Sequence, residues 1–267
     1  MRVAVRRRAL LYVHAERIFK VMDSWGNPTG QVAKVIVHEV AAGLPIKVSD
    51  HERVVLKTLR SIPDEAVTHH IVRIADHDPL NAMTPLQHAT LVLEPLATPL
   101  TPEALLAHPQ FVTDLVRALS GVHAAGIVHC DLRFENVYVH AGRVIIADWG
   151  FAYRLGPDAR PHPAVGTVAT AAEETLMAYL CDFSLTPMNK HDLQSCVRMA
   201  RMAVLTREDP YLLQALQTAV RGRGFMVVKN FWRWQLAYSP WARAEKLAIK
   251  CSYDELATCL QTLLEGL

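Results

Sequence analysis

The chain has 267 residues, 51% of them apolar, enough for one sizeable core or two small lobes. Against 26 Asp and Glu stand 28 Lys and Arg, a net charge of +2 in which nothing argues for a polyanion partner, so no nucleic acid is expected. Cys130, Cys181, Cys196, Cys251 and Cys259 are scattered, odd in number and without a C-x-x-C pair, which speaks against a zinc ribbon or a disulfide framework. No run reaches the ~18 apolar residues of a membrane span, and the N-terminus carries no secretory pattern. An intracellular location is therefore expected. Arg6-Arg7-Arg8 reads as a solvated basic end rather than a targeting signal.

In chain order, Ala9 to Val13, Arg17 to Met22 and Gln31 to His38 are short runs rich in Val, Ile, Phe and Tyr. The last two are separated by the turn formers Asp23 to Gly30, and the three predict an antiparallel meander. Ser49 and Glu52 fit a capping box, and Val55, Leu56, Leu59 and Ile62 follow at helical spacing until Pro63. Ile71 to Ala75 and Ala89 to Glu94 predict two more strands.

From Pro95 the pattern changes. Pro95, Pro99 and Pro102 punctuate a connector, and helices are predicted over 102–107, 110–125, 171–180, 190–205, 210–220 and 253–264. Two short strands, Val137 to Val139 and Val144 to Ile146, interrupt them. The expected fold is α+β and bilobal. Residues 1–94 would form a small β-rich lobe with one helix, 95–98 a hinge, and 99–267 a helical lobe, together one domain.

Between helix and hairpin lies His129-Cys130-Asp131-Leu132-Arg133-Phe134-Glu135-Asn136, with Asp148-Trp149-Gly150 beginning twelve positions after Asn136. An Asp, an Asn and a second Asp at one end of a hairpin can hold a divalent metal and orient a hydroxyl. Lys34 sits in the apolar run Gln31 to Val37, where an ammonium requires an anion or a wet sheet edge. Glu52 lies eighteen positions further. It either completes the capping box with Ser49 or pairs with Lys34.

These motifs resemble the protein kinase family: H-x-D-x-x-x-x-N, D-x-G and a third-strand Lys with a helical Glu. The resemblance implies ATP and Mg2+ as cofactors. It makes Asp131 the acceptor of the substrate hydroxyl proton, places Arg133 near the transferred phosphoryl group, and pairs Lys34 with Glu52. Asn136 and Asp148 would ligate the metal. Val32, Leu93, Glu94, Leu96 and Tyr138 would surround the adenine. Cys130 stands where many kinases carry an Arg that binds a phosphorylated activation loop, so switching through that Arg is not expected. Cys130 is read as a small filler, with a reactive thiol as the other possibility. Gly166 to Glu174 resembles the end of an activation segment, and Lys190 to Cys196 the start of the central large-lobe helix. In that helix Asp192 is either a plain N-cap or an anchor for the catalytic loop.

One kinase feature is missing. The turn expected at His14-Ala15-Glu16-Arg17, which should cover the nucleotide phosphates, has no glycine. Phosphate contacts would then fall to Lys34, Mg2+ and Arg17. Phe231 to Trp241 concentrates five aromatics in eleven positions, read as core under a C-terminal helix or as a docking patch.

The favoured function is ATP-dependent transfer to Ser or Thr hydroxyls, with a protein substrate or a small regulatory partner. The alternatives are a pseudokinase acting as a binding or scaffold module, and a small-molecule phosphotransferase of the aminoglycoside or choline-kinase type. Gly150 after Asp148-Trp149, the Gly166-Thr167 segment and Asp192 favour the protein-kinase branch over the last of these.

Overall fold

A computed structural model describes residues 15–22, 28–37, 48–75, 88–157, 159–222, 224–237 and 240–266. The expected strand at 9–13, residue His14 and the turn at 23–27 lie outside the described residues. The chain divides into two compact units: one drawn from Met1–Thr58 and Val72–Leu96, the other from Leu59–Ile71 and Ala97–Leu267.

The first unit holds strands β1 (Ala15–Met22) and β2 (Pro28–Val37), helix α1 (Val48–Arg60, whose last two residues belong to the second unit), and strands β3 (Arg73–Ile74) and β4 (His88–Glu94). α2 (Glu65–Thr68), between α1 and β3, belongs to the second unit. The four strands form an antiparallel sheet in the order β1-β2-β4-β3. Lys34 pairs with Ile18 on one side and Leu91 on the other, so it is on an inner strand. That removes the reading of Lys34 as an edge lysine, because an inner strand offers no wet edge. Val32 is paired with Leu93 across β2 and β4.

Two expectations are corrected here. The turn expected at 14–17 does not include Ala15 to Arg17: β1 runs from Ala15, two residues before the strand expected from Arg17, and Arg17 is opposite Val35. Pro28 to Gly30, expected as turn, begin β2. Along α1, Glu52, Val55, Leu56 and Leu59 recur at helical spacing, and all four are buried, Glu52 with no exposed surface. The helix starts at Val48, so Ser49 lies inside it rather than at its cap. A carboxylate on the buried stripe demands a partner, which is a stronger requirement than a solvated capping box would impose.

The second unit is mainly helical. Its remaining elements, in order, are β5 (Thr98–Pro99), α3 (Pro102–Ala107), α4 (Gln110–Ala124), β6 (Ile127–Val128), β7 (Val137–His140), β8 (Arg143–Ile146), β9 (Tyr153–Arg154), β10 (His162–Pro163), α5 (Glu173–Cys181), β11 (Ser184–Leu185), α6 (Asn189–Glu208), α7 (Pro210–Arg221), α8 (Phe225–Ala237), α9 (Pro240–Ile249) and α10 (Tyr253–Glu265). α6 is buried nearly all round, including His191, Asp192, Gln194, Ser195 and Arg198, which marks it as the central helix. α4, α9 and α10 pack around it.

The expected strand at 71–75 is shorter than the sequence suggests. Ile71 instead bridges Ile146, the Ile146 amide donates to the His70 carbonyl at 2.7 Å, and His70 Nδ1 meets the Val144 carbonyl at 2.7 Å. Val67 of α2 lies directly on Gly121 of α4, where any Cβ would collide with it. These contacts carry residues 59–71 into the helical unit. A linear boundary at residue 94 could not show that excursion.

The aromatic cluster became two helices, α8 and α9, that were not anticipated. Trp232 and Trp241 are buried, as the core reading expected, while Trp234 is exposed. Arg198, itself buried, stacks its guanidinium 5.7 Å from the Trp232 ring centre, and Trp232 Nε1 donates to the Ala169 carbonyl at 2.8 Å. Trp232→Phe keeps an aromatic ring but removes this donor and part of a fully buried indole. It is expected to cost at least about 1–3 kcal/mol, from the stranded carbonyl and the cavity together, read as a lower urea midpoint at unchanged slope.

Candidate active site

The loop from His129 to Asn136 connects β6 to β7 and is fixed from below by α6. Asp192, 1% exposed, accepts hydrogen bonds from the His129 amide (2.7 Å), the Cys130 amide (3.0 Å) and His123 Nε2 (2.9 Å). The helix N-cap is Met188, so Asp192 is the anchor and not the cap. Burial pushes its carboxyl up, but the His123 contact and the His129 amide outweigh burial and hold it below the ordinary carboxylate value. His123 in turn meets the Tyr253 hydroxyl at 2.8 Å. A chain of polar contacts therefore runs from α10 to the loop.

His129 ties the two motifs together. Its Nδ1 accepts from the Asp131 amide at 3.2 Å, so Nε2 is left to donate to the Ala147 carbonyl at 2.9 Å. Trp149 stands edge-on to its ring at 4.6 Å, fully buried, and donates Nε1 to the Ile146 carbonyl at 3.2 Å. The β7–β8 hairpin closes the circuit through the Ala147 amide and the Asn136 carbonyl at 2.9 Å. Cys130 and Asp148 both have left-handed backbones, with φ of 68° and 61°. Asp tolerates that region and Cys does so less readily, and strain of this kind persists only where surrounding contacts impose it.

Asp131 is 4% exposed. Its Oδ2 is shared between Asn136 Nδ2 at 3.1 Å and Arg133 Nε at 3.5 Å. Its Oδ1 is buried and has no aligned hydrogen-bond partner among the described residues. Burial raises the Asp131 carboxyl above the ordinary value, while the Arg133 guanidinium, the Thr167 hydroxyl and His129 pull it down. The site thus holds a buried carboxylate with one oxygen fixed by Asn136 and Arg133 and the other without an aligned partner among the described residues.

Asn136 turns its amide nitrogen to the Asp131 carbonyl (2.8 Å) and carboxylate, which leaves its oxygen as the atom able to face a cation. Asp148 adds a carboxylate near enough to Asp131 to raise its pKa. Hard oxygen donors from one carboxylate and one amide suit Mg2+, which takes few protein ligands and fills its shell with water and phosphate oxygens. No group of three or more His, Cys, Asp or Glu placed to hold a metal occurs among the described residues.

Burial, Asp192 and Asp131 drive the Cys130 thiol well above the ordinary range, and its sulfur donates to the Val128 carbonyl at 3.6 Å, which favours the filler reading over a reactive thiol. Gly166, with φ of 93°, rests on the Cys130 carbonyl so closely that a Cβ would collide with it. Thr170 donates its hydroxyl to the Leu132 carbonyl at 2.8 Å, and Ser195 to the Thr170 carbonyl at 3.0 Å. Glu174 accepts from Lys190 at 2.6 Å and His191 at 2.9 Å. Burial raises its carboxyl, but these two partners hold it below the ordinary range.

The other expected site residues are placed as follows. In the first unit, Leu93 is buried on β4, and Glu94 faces Arg73 at 3.5 Å, an exposed pair worth little. Leu96, half-buried, follows β4. In the second unit, Tyr138 is half-buried on β7 opposite Ile145. His123 and Tyr179 were not singled out from sequence, because each acts across a long stretch of chain without a local motif; Thr167 was noted only as part of the Gly166 to Glu174 segment, not as a partner of Asp131.

A protein kinase domain profile matches residues 28–185, more than half of the chain. This chain belongs to the protein kinase family. It is similar to mitogen-activated protein kinase kinase kinase 17 of Arabidopsis thaliana, 38% identical over 66 residues (24% of this chain and 18% of that protein). It is similar also to serine/threonine-protein kinase D3 of Homo sapiens, 39% identical over 69 residues, and to serine/threonine-protein kinase D2 of Homo sapiens, 37% over 70. Each of these two matches covers about a quarter of this chain and 8% of the relative. The chain therefore spans less than a fifth of the length of these kinases. Among the described residues no helix is long and apolar enough to cross a membrane.

Proposed function

We propose that this kinase-family chain transfers the γ-phosphoryl group of ATP to Ser or Thr hydroxyls of a protein substrate. Its two units are read as the small and large lobes of the kinase fold. The observation that carries the reading is Asp131: buried, flanked by Arg133 and Asn136, with Oδ1 free to accept. Phosphoryl transfer asks the protein mainly for positioning and charge neutralisation. Asp131 Oδ1 accepts the hydrogen bond of the substrate hydroxyl and takes its proton as the new P–O bond forms and the bond from the γ-phosphorus to the bridging oxygen breaks, releasing ADP. Arg133 offsets charge on the transferred group. Mg2+, held by Asn136 and Asp148, would neutralise the phosphate oxygens. Lys34, with Glu52 as its counter-ion, and Arg17 are assigned to the phosphates. Val32, Leu93, the Glu94 to Leu96 backbone and Tyr138 are assigned to the adenine.

The test is direct. Mg-ATP is expected to raise the melting temperature, and Asp148→Asn to remove that rise while the ligand-free protein melts unchanged. A ligand present at a hundred times its Kd adds about 2.7 kcal/mol, which is easily seen as a shift. Label from γ-labelled ATP should appear on a generic Ser/Thr protein substrate. Labelling confined to small alcohols or amino-sugars would reassign the chain to small-molecule phosphotransfer. No shift with any nucleotide or metal would point to a binding module instead.

A further inference from the structure

The segment between Asp148 and α5 is long, and several contacts among its described residues tie it down. The Leu155 amide donates to the Gly126 carbonyl at 2.7 Å, and β9 pairs with β6. The Tyr153 hydroxyl donates to the Arg160 carbonyl at 2.8 Å. His162 and Pro163 pair as a strand with Leu185 and Ser184. Gly166 rests on the Cys130 carbonyl. Its own carbonyl accepts the Tyr179 hydroxyl at 2.7 Å, and the ring of Tyr179 packs against Phe225 at 5.6 Å. The residue after Gly166 is Thr167, whose hydroxyl acts on Asp131.

The sequence of this segment has a matching property. From Asp148 to Gly166 the sole hydroxyl side chain is Tyr153, already engaged with Arg160. Thr170, further on, is buried and donates to Leu132. The residue before Asp131 is the uncharged Cys130. Nothing in this arrangement calls for an added phosphate to order the loop.

We propose that Tyr179 is a positioning residue that clamps the Gly166–Thr167 peptide onto the catalytic loop, holding the segment in place without phosphorylation. Burial, with Asp131 and Cys130 nearby, keeps the Tyr179 hydroxyl protonated and therefore a donor. Tyr179→Phe preserves the ring against Phe225 and deletes only the hydrogen bond. The clamp's effect on transfer rests on the phosphotransfer reading; its effect on loop opening does not.

The experiment measures amide hydrogen exchange of residues 156–172 in phosphatase-treated protein, in protein pre-incubated with Mg-ATP, and in Tyr179→Phe. Exchange in the wild type should be the same before and after Mg-ATP pre-incubation once the nucleotide is removed. In Tyr179→Phe it should quicken about fivefold, the change in opening equilibrium that one hydrogen bond of about 1 kcal/mol represents. Peptides from α6 should be unaffected. Gly166→Ala, which pushes a Cβ into the Cys130 carbonyl, should open the same peptides. In turnover, kcat should fall by a similar factor with KM for ATP unchanged, and the wild type should show no lag. Slower exchange upon phosphorylation of the segment would overturn the proposal, as would a Tyr179→Phe profile equal to wild type or altered throughout the second unit. If the wild type transfers no phosphate at all, the phosphotransfer reading falls, and exchange still decides the clamp.

Discussion

Asp131→Asn is expected to lower kcat by about 10²–10⁴-fold, the range for removing a positioned proton acceptor. KM for ATP should hold, because Asp131 is assigned to the hydroxyl and not to the nucleotide. The amide can still accept from Asn136 through its oxygen, so the loop geometry should survive. Stability gives a second readout with a definite sign. The Asp131 carboxyl is raised in the folded protein, chiefly by burial. A carboxyl raised on folding contributes stability below its unfolded pKa and loses it as pH rises through the folded value. At neutral pH the ionised group therefore strains the fold, and Asp131→Asn should melt at the same temperature or higher. Activity and stability would then move in opposite directions, as expected where a site is organised for chemistry. The pH–rate profile of the wild type should show an acid limb above the ordinary carboxylate range. A variant that loses stability along with activity would reduce Asp131 to a structural group.

Asp192→Ala is expected to be the most destabilising substitution among those described, by about 3–5 kcal/mol, because it removes one member of a buried, hydrogen-bonded set. Two backbone amides of the loop and His123 would lose their acceptor at once. Asp192→Asn keeps one acceptor oxygen and should fall between Ala and wild type. The acid side carries the diagnostic. The Asp192 carboxyl is lowered in the fold, its His123 and His129 contacts overcoming burial. Its contribution is therefore present above the unfolded carboxylate pKa and is lost as pH falls through the folded value. Acid unfolding of Asp192→Ala should lack that part of the transition. Urea titrations at pH 7 and in the acid range measure both effects, and a loss below about 1 kcal/mol at neutral pH would show that α6 does not hold the loop.

The sequence determined the chemistry of the loop. His129, Asp131, Asn136 and Asp148 fall within twenty positions, and local rules govern a loop, a hairpin and a tight turn. Most helices of the second unit were legible for the same reason, since an amphipathic period of 3.6 is a local property. α8 and α9 were not, because Phe231, Trp232, Trp234 and Trp241 occupy several helix faces and blur the period.

Tertiary structure decided what depends on distant neighbours. Lys34 could have been an edge lysine until the order β1-β2-β4-β3 placed it inside the sheet. Ala15 and Glu16 looked like turn residues until pairing with Val37 and Ile36 made them part of a strand. Asp192 could have capped its own helix until the His129 and Cys130 amides, more than sixty residues away, proved to be its partners. Residues 59–71 follow the first unit in sequence but join the second, because Ile71 finds Ile146 and Val67 finds Gly121. Which polar groups lose water on folding, and which partner each then meets, is fixed by the packing of elements far apart in the chain. That is why the loop could be recognised from its residues, while the unpartnered Oδ1 of Asp131 and the Tyr179 contact to the Gly166 carbonyl required the folded protein.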